Sequence, residues 1–384
     1  MNARIVNILT TTSGGGGAEK QLLLSVLGLS RRGVTCRVFA LRRTDNDRYR
    51  TLIEECQAAG ASFQLPQRPG LWSVAVVLGR LVLDTLRNPS SVLWLWGFRA
   101  QLFKLMLPPL WLSRCVVSLR AADPDVTFAQ QLVTRVGHPL TWRYLSNSQR
   151  AIDIMNSCVP GVAARSMIVH NAIENIWSEA PVGPRRRPDG ELSAVMLGNV
   201  RYMTKGYDVA LAVAEQIRAL NLPIRLRIGG KQYASETDLA AEIARRNLGS
   251  IVSFEGTVHS PRTFLESADI FLLLSRGEGM PNALMEAMAL GMPCISTDVG
   301  DVATFRADVD SVRVVPVLEV TAVVEQLRAW VADWSDAEAL GSRAAAFARA
   351  EFAVEPMLDR VEAVLGLNGS HSGVPAPSRS EAAA

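Results

Sequence analysis

Ser275-Arg-Gly-Glu-Gly-Met-Pro-Asn-Ala-Leu-Met-Glu286-Ala-Met-Ala-Leu-Gly291-Met-Pro-Cys-Ile-Ser-Thr-Asp-Val-Gly300 decides the fold of this chain. A hydrophobic run, residues 270–274, leads into it and reads as a strand. Gly277-Glu278-Gly279 makes a glycine-rich turn. The helical pattern that follows, residues 281–290, opens on Pro281 and closes on Gly291 and Pro293. Proline just inside a helix start and glycine just past its end are the expected punctuation. A second apolar run, 294–299, reads as the next strand. The stretch is a strand–loop–helix–strand unit with one carboxylate, Glu278, in the loop and another, Glu286, on the helix.

A helix N-terminus offers unpaired N–H groups and the positive end of a dipole, so it holds phosphate or carboxylate well. Gly277 and Gly279 let the backbone come close to a ligand. Glu278 then stands beside a bound anion, with Met280, Pro281, Asn282 and Ala283 at the helix start. Glu286, one to two turns along, is placed to accept hydrogen bonds from hydroxyls. That layout suits a sugar nucleotide, with sugar at the loop, diphosphate at the N–H groups and ribose at Glu286. The plainer alternative is an ordinary strand–helix turn with a capping glutamate.

The pattern recurs along the chain. Candidate strands are 4–9, 35–41, 92–96, 115–119, 144–147 and 167–170, then 194–197, 225–228, 251–254, 270–274, 294–297 and 312–315. Helical patterns separate them. Strands alternating with helices imply parallel sheet. The expected organisation is α/β, with two tandem doubly wound domains: residues 1–180, a charged and turn-rich linker at 181–190, and residues 191–355. Ligands bind such sheets at the carboxyl ends of strands. The cleft between the facing domains is the natural site. Residues 322–365 are helical, and 368–384 are rich in Ser, Pro, Ala and Gly and read as disordered.

Two further loops carry chemistry. After the first strand, Gly14 to Gly17 precede Ala18-Glu19-Lys20 and an apolar helix. Four glycines at a strand–helix turn permit close approach to a phosphate; a glycine-rich linker without ligand is the alternative. A nicotinamide site fits poorly, because the third glycine of its fingerprint falls on Glu19 or Lys20 and the second strand ends Ala40-Leu-Arg-Arg43. In the second half, Gly198-Asn-Val-Arg-Tyr-Met-Thr-Lys205-Gly206 puts a cation on a loop beside a helix start, a suitable diphosphate clamp. Lysine is scarce, 4 of 40 basic residues.

Residues 275–300 resemble the E-x7-E signature of retaining glycosyltransferases of family 4, which have the GT-B fold. Gly16-Gly17-Ala-Glu-Lys20 resembles that family's N-terminal G-G-x-E-[RK] loop. Residues 168–174 resemble its domain-junction segment, with Ala172 and Glu174 in place of the usual Gly and Asp. Residues 198–206 are similar to its diphosphate-clamp segment. Lys205 falls on the lysine position, Asn199 on the usual arginine, and Arg201 stands two residues on. The segment 255–260, with His259, matches the region near which the family binds the donor base. The family's first-domain histidine has no counterpart between Ser91 and Asp125; Arg120 and Asp123 stand there instead.

The resemblance implies transfer of a hexose from a nucleotide-diphosphate sugar to a hydroxyl of a glycan or lipid-linked acceptor, in cell-surface polysaccharide or glycolipid synthesis. Glu278, Lys205 and Arg120 are the expected catalytic residues. Gly16, Gly17, Asn199, Arg201, Gly279, the 280–283 segment and Glu286 would bind the donor. It also implies that a last helix, 356–367, crosses back to the first domain. A sugar-nucleotide epimerase, or a non-catalytic sugar-nucleotide binder, would share the architecture.

The 384 residues are 48% hydrophobic and 20% charged, an ordinary globular composition. Five scattered cysteines with no C-x-x-C pair read as reduced core residues in a cytoplasmic protein. No metal-ligand cluster stands out, so no metal cofactor is expected. No apolar run reaches spanning length, and the N-terminus reads as a first strand rather than a leader. Residues 1–180 hold 20 Lys and Arg against 11 Asp and Glu, while 181–384 hold 20 against 26. A basic half attracts an anionic partner. Nucleic acid is not indicated, because no basic run is interleaved with stacking aromatics. The aromatic and basic stretch from Trp94 to Arg114, with Lys104, reads either as a buried strand–helix unit or as a peripheral contact with lipid headgroups.

Overall fold

The computed structural model describes residues 4–13, 16–43, 47–120, 126–174, 177 and 190–367. The 181–189 part of the expected linker, the tail 368–384 and Asp123 lie outside the described residues.

The first sheet has seven strands: β1 (Ile5–Thr10), β2 (Thr35–Ala40), β3 (Ser62–Gln64), β4 (Val92–Trp96), β5 (Arg114–Leu119), β6 (Arg143–Ser146) and β7 (Ser166–Ile168). Their order is β3-β2-β1-β4-β5-β6-β7. The second has six: β8 (Leu192–Leu197), β9 (Ile224–Gly229), β10 (Val252–Gly256), β11 (Ile270–Leu273), β12 (Cys294–Thr297) and β13 (Arg313–Val315), in the order β10-β9-β8-β11-β12-β13. All neighbours in both sheets are parallel. Strand order reverses beside β1 in one sheet and beside β8 in the other, and each reversal opens a crevice at the carboxyl ends of the strands.

Most expected strands appear with ends shifted by one or two residues, as with 4–9 against Ile5–Thr10. The missed strand is β3, three partly exposed residues at the sheet edge whose apolar signal is too short to read. β4, Val-Leu-Trp-Leu-Trp, is buried throughout because helices cover both faces of a parallel sheet. This corrects part of the lipid expectation for residues 94–114. Trp94 is 0% exposed and donates to Ser118 Oγ at 2.8 Å. Lys104 is 2% exposed and donates to the Leu140 carbonyl.

None of the five cysteines forms a disulfide, and burial pushes the Cys36 and Cys56 thiols up to about 12. His170 lies 3.0 Å from Glu351 Oε1, and His138 lies 2.9 Å from the Tyr144 hydroxyl. His259 is exposed on the loop after β10.

The chain closes on itself at its end. Helix Val354–Leu365 packs on the first helix, Gly17–Arg31, with Met357, Leu358, Val361, Val364 and Leu365 in one core with Val6, Ile8 and Leu22. A β-carbon on Gly28 would collide with Leu358, so glycine is what allows the two helices to touch. Arg32 reinforces the contact through Glu355, Asp359 and Glu362. Truncation of this fully buried side chain, Leu358→Ala, is expected to cost about 2–5 kcal/mol. Urea unfolding measures it, and a loss below about 1 kcal/mol would mean that the last helix is not part of the first domain's core.

Candidate functional site

The loop that leaves β11 is fixed from beneath. Thr297 Oγ1, on neighbouring β12, donates to the Ser275 carbonyl at 2.6 Å. Ser275 Oγ donates in turn to Glu278 Oε1 at 2.8 Å. The helix that follows is Asn282–Ala289, and no side chain caps its N-terminus. Its first N–H groups therefore remain available as donors. Pro281 is the N-cap, Met280 and Pro281 are buried, and Asn282 and Ala283 are partly exposed.

The loop that leaves β8 stands next to it, because β8 and β11 are neighbours across the reversal in strand order. The Tyr207 hydroxyl donates to the Gly198 carbonyl at 2.8 Å. Arg276 ties the two loops together: its backbone N–H donates to the Thr204 carbonyl at 2.9 Å, and its guanidinium grips Asp208, with Nη1 to Oδ1 at 2.7 Å. Gly206 has φ +69°, and a β-carbon there would collide with the Leu274 carbonyl. Lys205 Nζ thereby reaches Glu278 Oε1 at 2.5 Å, although 73 positions separate them in sequence. Asn199 and Arg201 are exposed. Their side chains do not join this pair among the described contacts.

The first domain supplies the opposite wall. Gly16 is the N-cap of the first helix, and its carbonyl accepts from the Tyr49 hydroxyl at 2.7 Å. A β-carbon on Gly17 would collide with the Asn282 amide, so the glycine permits direct contact between the domains. One turn on, Lys20 Nζ donates to Glu286 Oε1 at 2.8 Å and pairs with Glu174 Oε2 at 3.0 Å. Lys20 and Glu286 are both buried. Asn171 Nδ2 donates to Asn282 Oδ1 at 2.8 Å, and Arg120 Nη1 donates to Asn171 Oδ1 at 2.7 Å. Arg120 also lies 4.1 Å over the Trp96 ring. Burial pushes its guanidinium down to about 9, so it stays cationic at neutral pH, and no carboxylate among the described residues pairs with it. Gly279 lies against Asn147 and the Arg120 backbone. Below them the Asp301 carboxylate accepts the Gln149 N–H at 2.8 Å, at the start of helix Gln149–Cys158.

Two groups thus form. Lys205 and Glu278 make one; Lys20, Glu174, Glu286, Asn171, Asn282 and Arg120 make the other, across the domain boundary. Lys20 and Asn171 enter the sequence reading only as members of matched motifs, without a site role, and Arg276 has none there either. The signals for Lys20 were its place at the [RK] position of the quoted loop and the rarity of lysine, since two of four lysines each hold one glutamate of the spaced pair. Among the described residues no three His, Cys, Asp or Glu side chains cluster for a metal ion.

Residues 191–333 match the domain family described as Glycosyl transferases group 1. That match contains Lys205, Glu278 and Glu286; Lys20, Arg120 and Asn171 lie outside it. Among curated proteins the chain is 25% identical over 176 residues to N-acetyl-alpha-D-glucosaminyl L-malate synthase of Bacillus anthracis, covering 46% of this chain and 45% of that protein. It is 40% identical over 67 residues to the Vi polysaccharide biosynthesis protein VipC/TviE of Salmonella typhi, covering 16% of this chain and 12% of that protein. The chain thus spans less than half the length of either relative. Anabaena HepE, solved in complex with UDP and glucose, superposes over 95% of this chain and 100% of its own with TM-score 0.76 at 16% identity. WaaG, a glycosyltransferase involved in lipopolysaccharide biosynthesis, covers 94% of this chain and 100% of its own with TM-score 0.69 at 14% identity. The fold is GT-B.

Breaking a buried ion pair by removing one partner costs about 3–5 kcal/mol, because the other charge is left uncompensated. Lys20→Met is expected to lose stability on that scale, as Glu174 and Glu286 then face each other without a cation. A double-mutant cycle with Glu286→Gln should return a coupling energy above about 1 kcal/mol. Additive losses would show that the two side chains are neighbours without being partners.

Proposed function

We propose that the protein is a retaining glycosyltransferase that moves a hexose from a nucleotide-diphosphate sugar to a hydroxyl of a glycan or lipid-linked acceptor, in cell-surface polysaccharide or glycolipid synthesis. The observation that carries the reading is the pair of glutamates eight positions apart, each held by a lysine at the crevice between two parallel sheets. The match of residues 191–333 to glycosyl transferases group 1 supports it. So do the relatives named as an N-acetyl-alpha-D-glucosaminyl L-malate synthase and a polysaccharide biosynthesis protein, and the HepE structure with UDP and glucose.

In this reading the C1–O bond of the donor breaks toward a cationic sugar while the diphosphate gains charge. Lys205 meets that charge. An ammonium has three donors, and the contact with Glu278 uses one. The N–H groups at the start of helix Asn282–Ala289, and those near Gly16 and Gly17, add neutral donors that need no reorganisation. Glu278 orients sugar hydroxyls and favours positive charge at C1. Glu286 binds the ribose; Lys20 engages its Oε1, and Oε2 remains to accept from hydroxyls. Arg120 faces negative charge on donor or acceptor. Attack from the front face, with the leaving phosphate taking the acceptor proton, gives retention. The chemistry as drawn uses no metal, and the enzyme works in the cytoplasm.

Lys205→Ala is expected to lower turnover about a hundredfold or more, the scale of losing one transition-state donor. Near-normal turnover at saturating donor would remove Lys205 from the site. Glu286→Ala should weaken binding of free UDP or GDP, whereas Glu278→Ala should leave it largely intact and abolish transfer. Equal nucleotide binding by both variants and the parent would sink the ribose assignment. Turnover that persists in EDTA, with an α-linked product from an α-linked donor, completes the test; an inverted anomer or release of an epimerised donor would refute the reading.

A further inference from the structure

In the second domain the large apolar side chains exposed among the described residues are scattered: Met203, Leu220, Tyr233 and Leu318. The other eleven of fifteen fall between residues 71 and 136 of the first domain. They sit on elements that pack side by side. Helix Leu71–Arg87 meets the 3-10 turn Pro108–Leu112, which meets helix Phe98–Met106, which meets helix Phe128–Gly137.

Helix Leu71–Arg87 is apolar on both sides. Val77, Leu81 and Thr85, four apart, are buried against the sheet. Trp72, Val76, Gly79, Leu83 and Leu86, spaced four or three apart, face water. At 3.6 residues per turn the two stripes lie on roughly opposite sides. Surface helices normally turn polar residues outward; one that is apolar all round has something covering it. The neighbours repeat the device, with Leu102 and Met106 on one helix and Phe128, Leu132 and Val136 on the next exposed at four-residue spacing. A contiguous apolar patch of this kind marks an interaction surface.

Charge identifies what covers it. Arg80 and Arg87 flank the outer stripe of their helix, and Arg99 and Arg135 stand exposed on the other two. The one acidic side chain on these elements, Asp84, is engaged by Arg37. A second copy of the chain would bring like charges together. An anionic lipid surface offers both the apolar layer and the opposite charge.

Orientation follows from topology. In an all-parallel sheet each helix that follows a strand starts at the strand's carboxyl end, which here is the edge facing the cleft. Leu71, Trp72 and Phe128 occupy the first turns of their helices and are the most exposed of the set, at 89, 82 and 78%. We propose that this face of the first domain seats on an anionic bilayer, with Leu71, Trp72 and Phe128 entering the headgroup layer and the interdomain cleft opening at the lipid surface. The docking stands on the first domain alone; delivery of a lipid-linked acceptor to the cleft rests on the proposed glycosyl transfer.

The test is co-sedimentation of the full chain with vesicles of phosphatidylglycerol and phosphatidylcholine, against phosphatidylcholine alone, at low and high salt. Pelleting with the anionic vesicles that weakens as salt rises is expected. The variant Leu71→Ser, Trp72→Ser, Phe128→Ser should partition about tenfold less or weaker, since burial of each such side chain is worth that factor or more. Arg80→Glu with Arg87→Glu should remove the preference for anionic lipid. Both variants should melt like the parent, and turnover on a water-soluble acceptor should be unchanged, which separates loss of docking from loss of the transfer reading. Absence of pelleting at low salt, or equal pelleting by the serine variant, overturns the proposal. So does a dimer in solution that the serine variant abolishes without any vesicle binding.

Discussion

The contact between Lys20 and Glu286 is the constraint on which the arrangement of the two domains depends. It joins residues 266 positions apart, and both are withdrawn from water. Desolvation of such a pair is costly and is offset only by good geometry and further partners. Both conditions are met: Glu174 supplies a second carboxylate, and the cluster sits in the first turn of helix Gly17–Arg31, where the dipole's positive end favours negative charge. The contact requires the first helix and helix Asn282–Ala289 to meet end to end. Gly17 and Asn282 touch for that reason, and Asn171 and Gln21 fill the space around them.

The uneven charge of the chain takes on a specific meaning at this boundary. Each named polar contact that crosses it has the first domain donating. Lys20 donates to Glu286, the Gln149 N–H to Asp301, and Asn171 to Met280 and Asn282. The last helix continues the pattern, since Arg4 and Arg32 pair with its Glu362 and Arg143 donates to the Val364 carbonyl. Part of the positive excess of residues 1–180 therefore serves the chain's own second half. Arg80, Arg87, Arg99 and Arg135 on helices Leu71–Arg87, Phe98–Met106 and Phe128–Gly137 belong to the part that stays exposed.

Local punctuation made the strand–loop–helix unit around Glu278 legible, because Pro281, Gly291 and Pro293 act within a few residues of themselves. The alternation of strands and helices that implies two doubly wound domains was legible for the same reason. Contacts set by tertiary geometry were not. Lys20 reads as one residue of a glycine loop until its partners at 174 and 286 are in place. Arg201 was placed beside the usual arginine position by spacing alone, and its side chain is exposed. Trp94 and Trp96 sit in a run whose composition suits a buried strand and an aromatic lipid anchor equally, and only the covering helices decide between them. The apolar run 71–86 carries Arg80 and Asp84, which in the sequence argue only against a membrane-spanning helix; on helix Leu71–Arg87 they lie beside the outer apolar stripe, not within it.

The cleft also constrains how an anionic donor could be held. Lys205 and Arg120, with Lys20, bring three positive charges, and Glu278, Glu286 and Glu174 bring three negative ones. Among the described residues the site is thus nearly neutral, so long-range attraction contributes little for a ligand carrying a diphosphate. Holding it falls to oriented neutral donors, above all the uncapped start of helix Asn282–Ala289. The cations then act mainly at short range. In the proposed reaction Lys205, held by Glu278 through one of its three donors, would turn the other two to the phosphate without leaving that contact. If the bond to the sugar breaks as proposed and charge gathers on the phosphate, the attraction between that phosphate and the ammonium would grow. A cation held in this way strengthens its interaction as the reaction proceeds, and strengthening of that kind, unlike uniform binding, lowers a barrier.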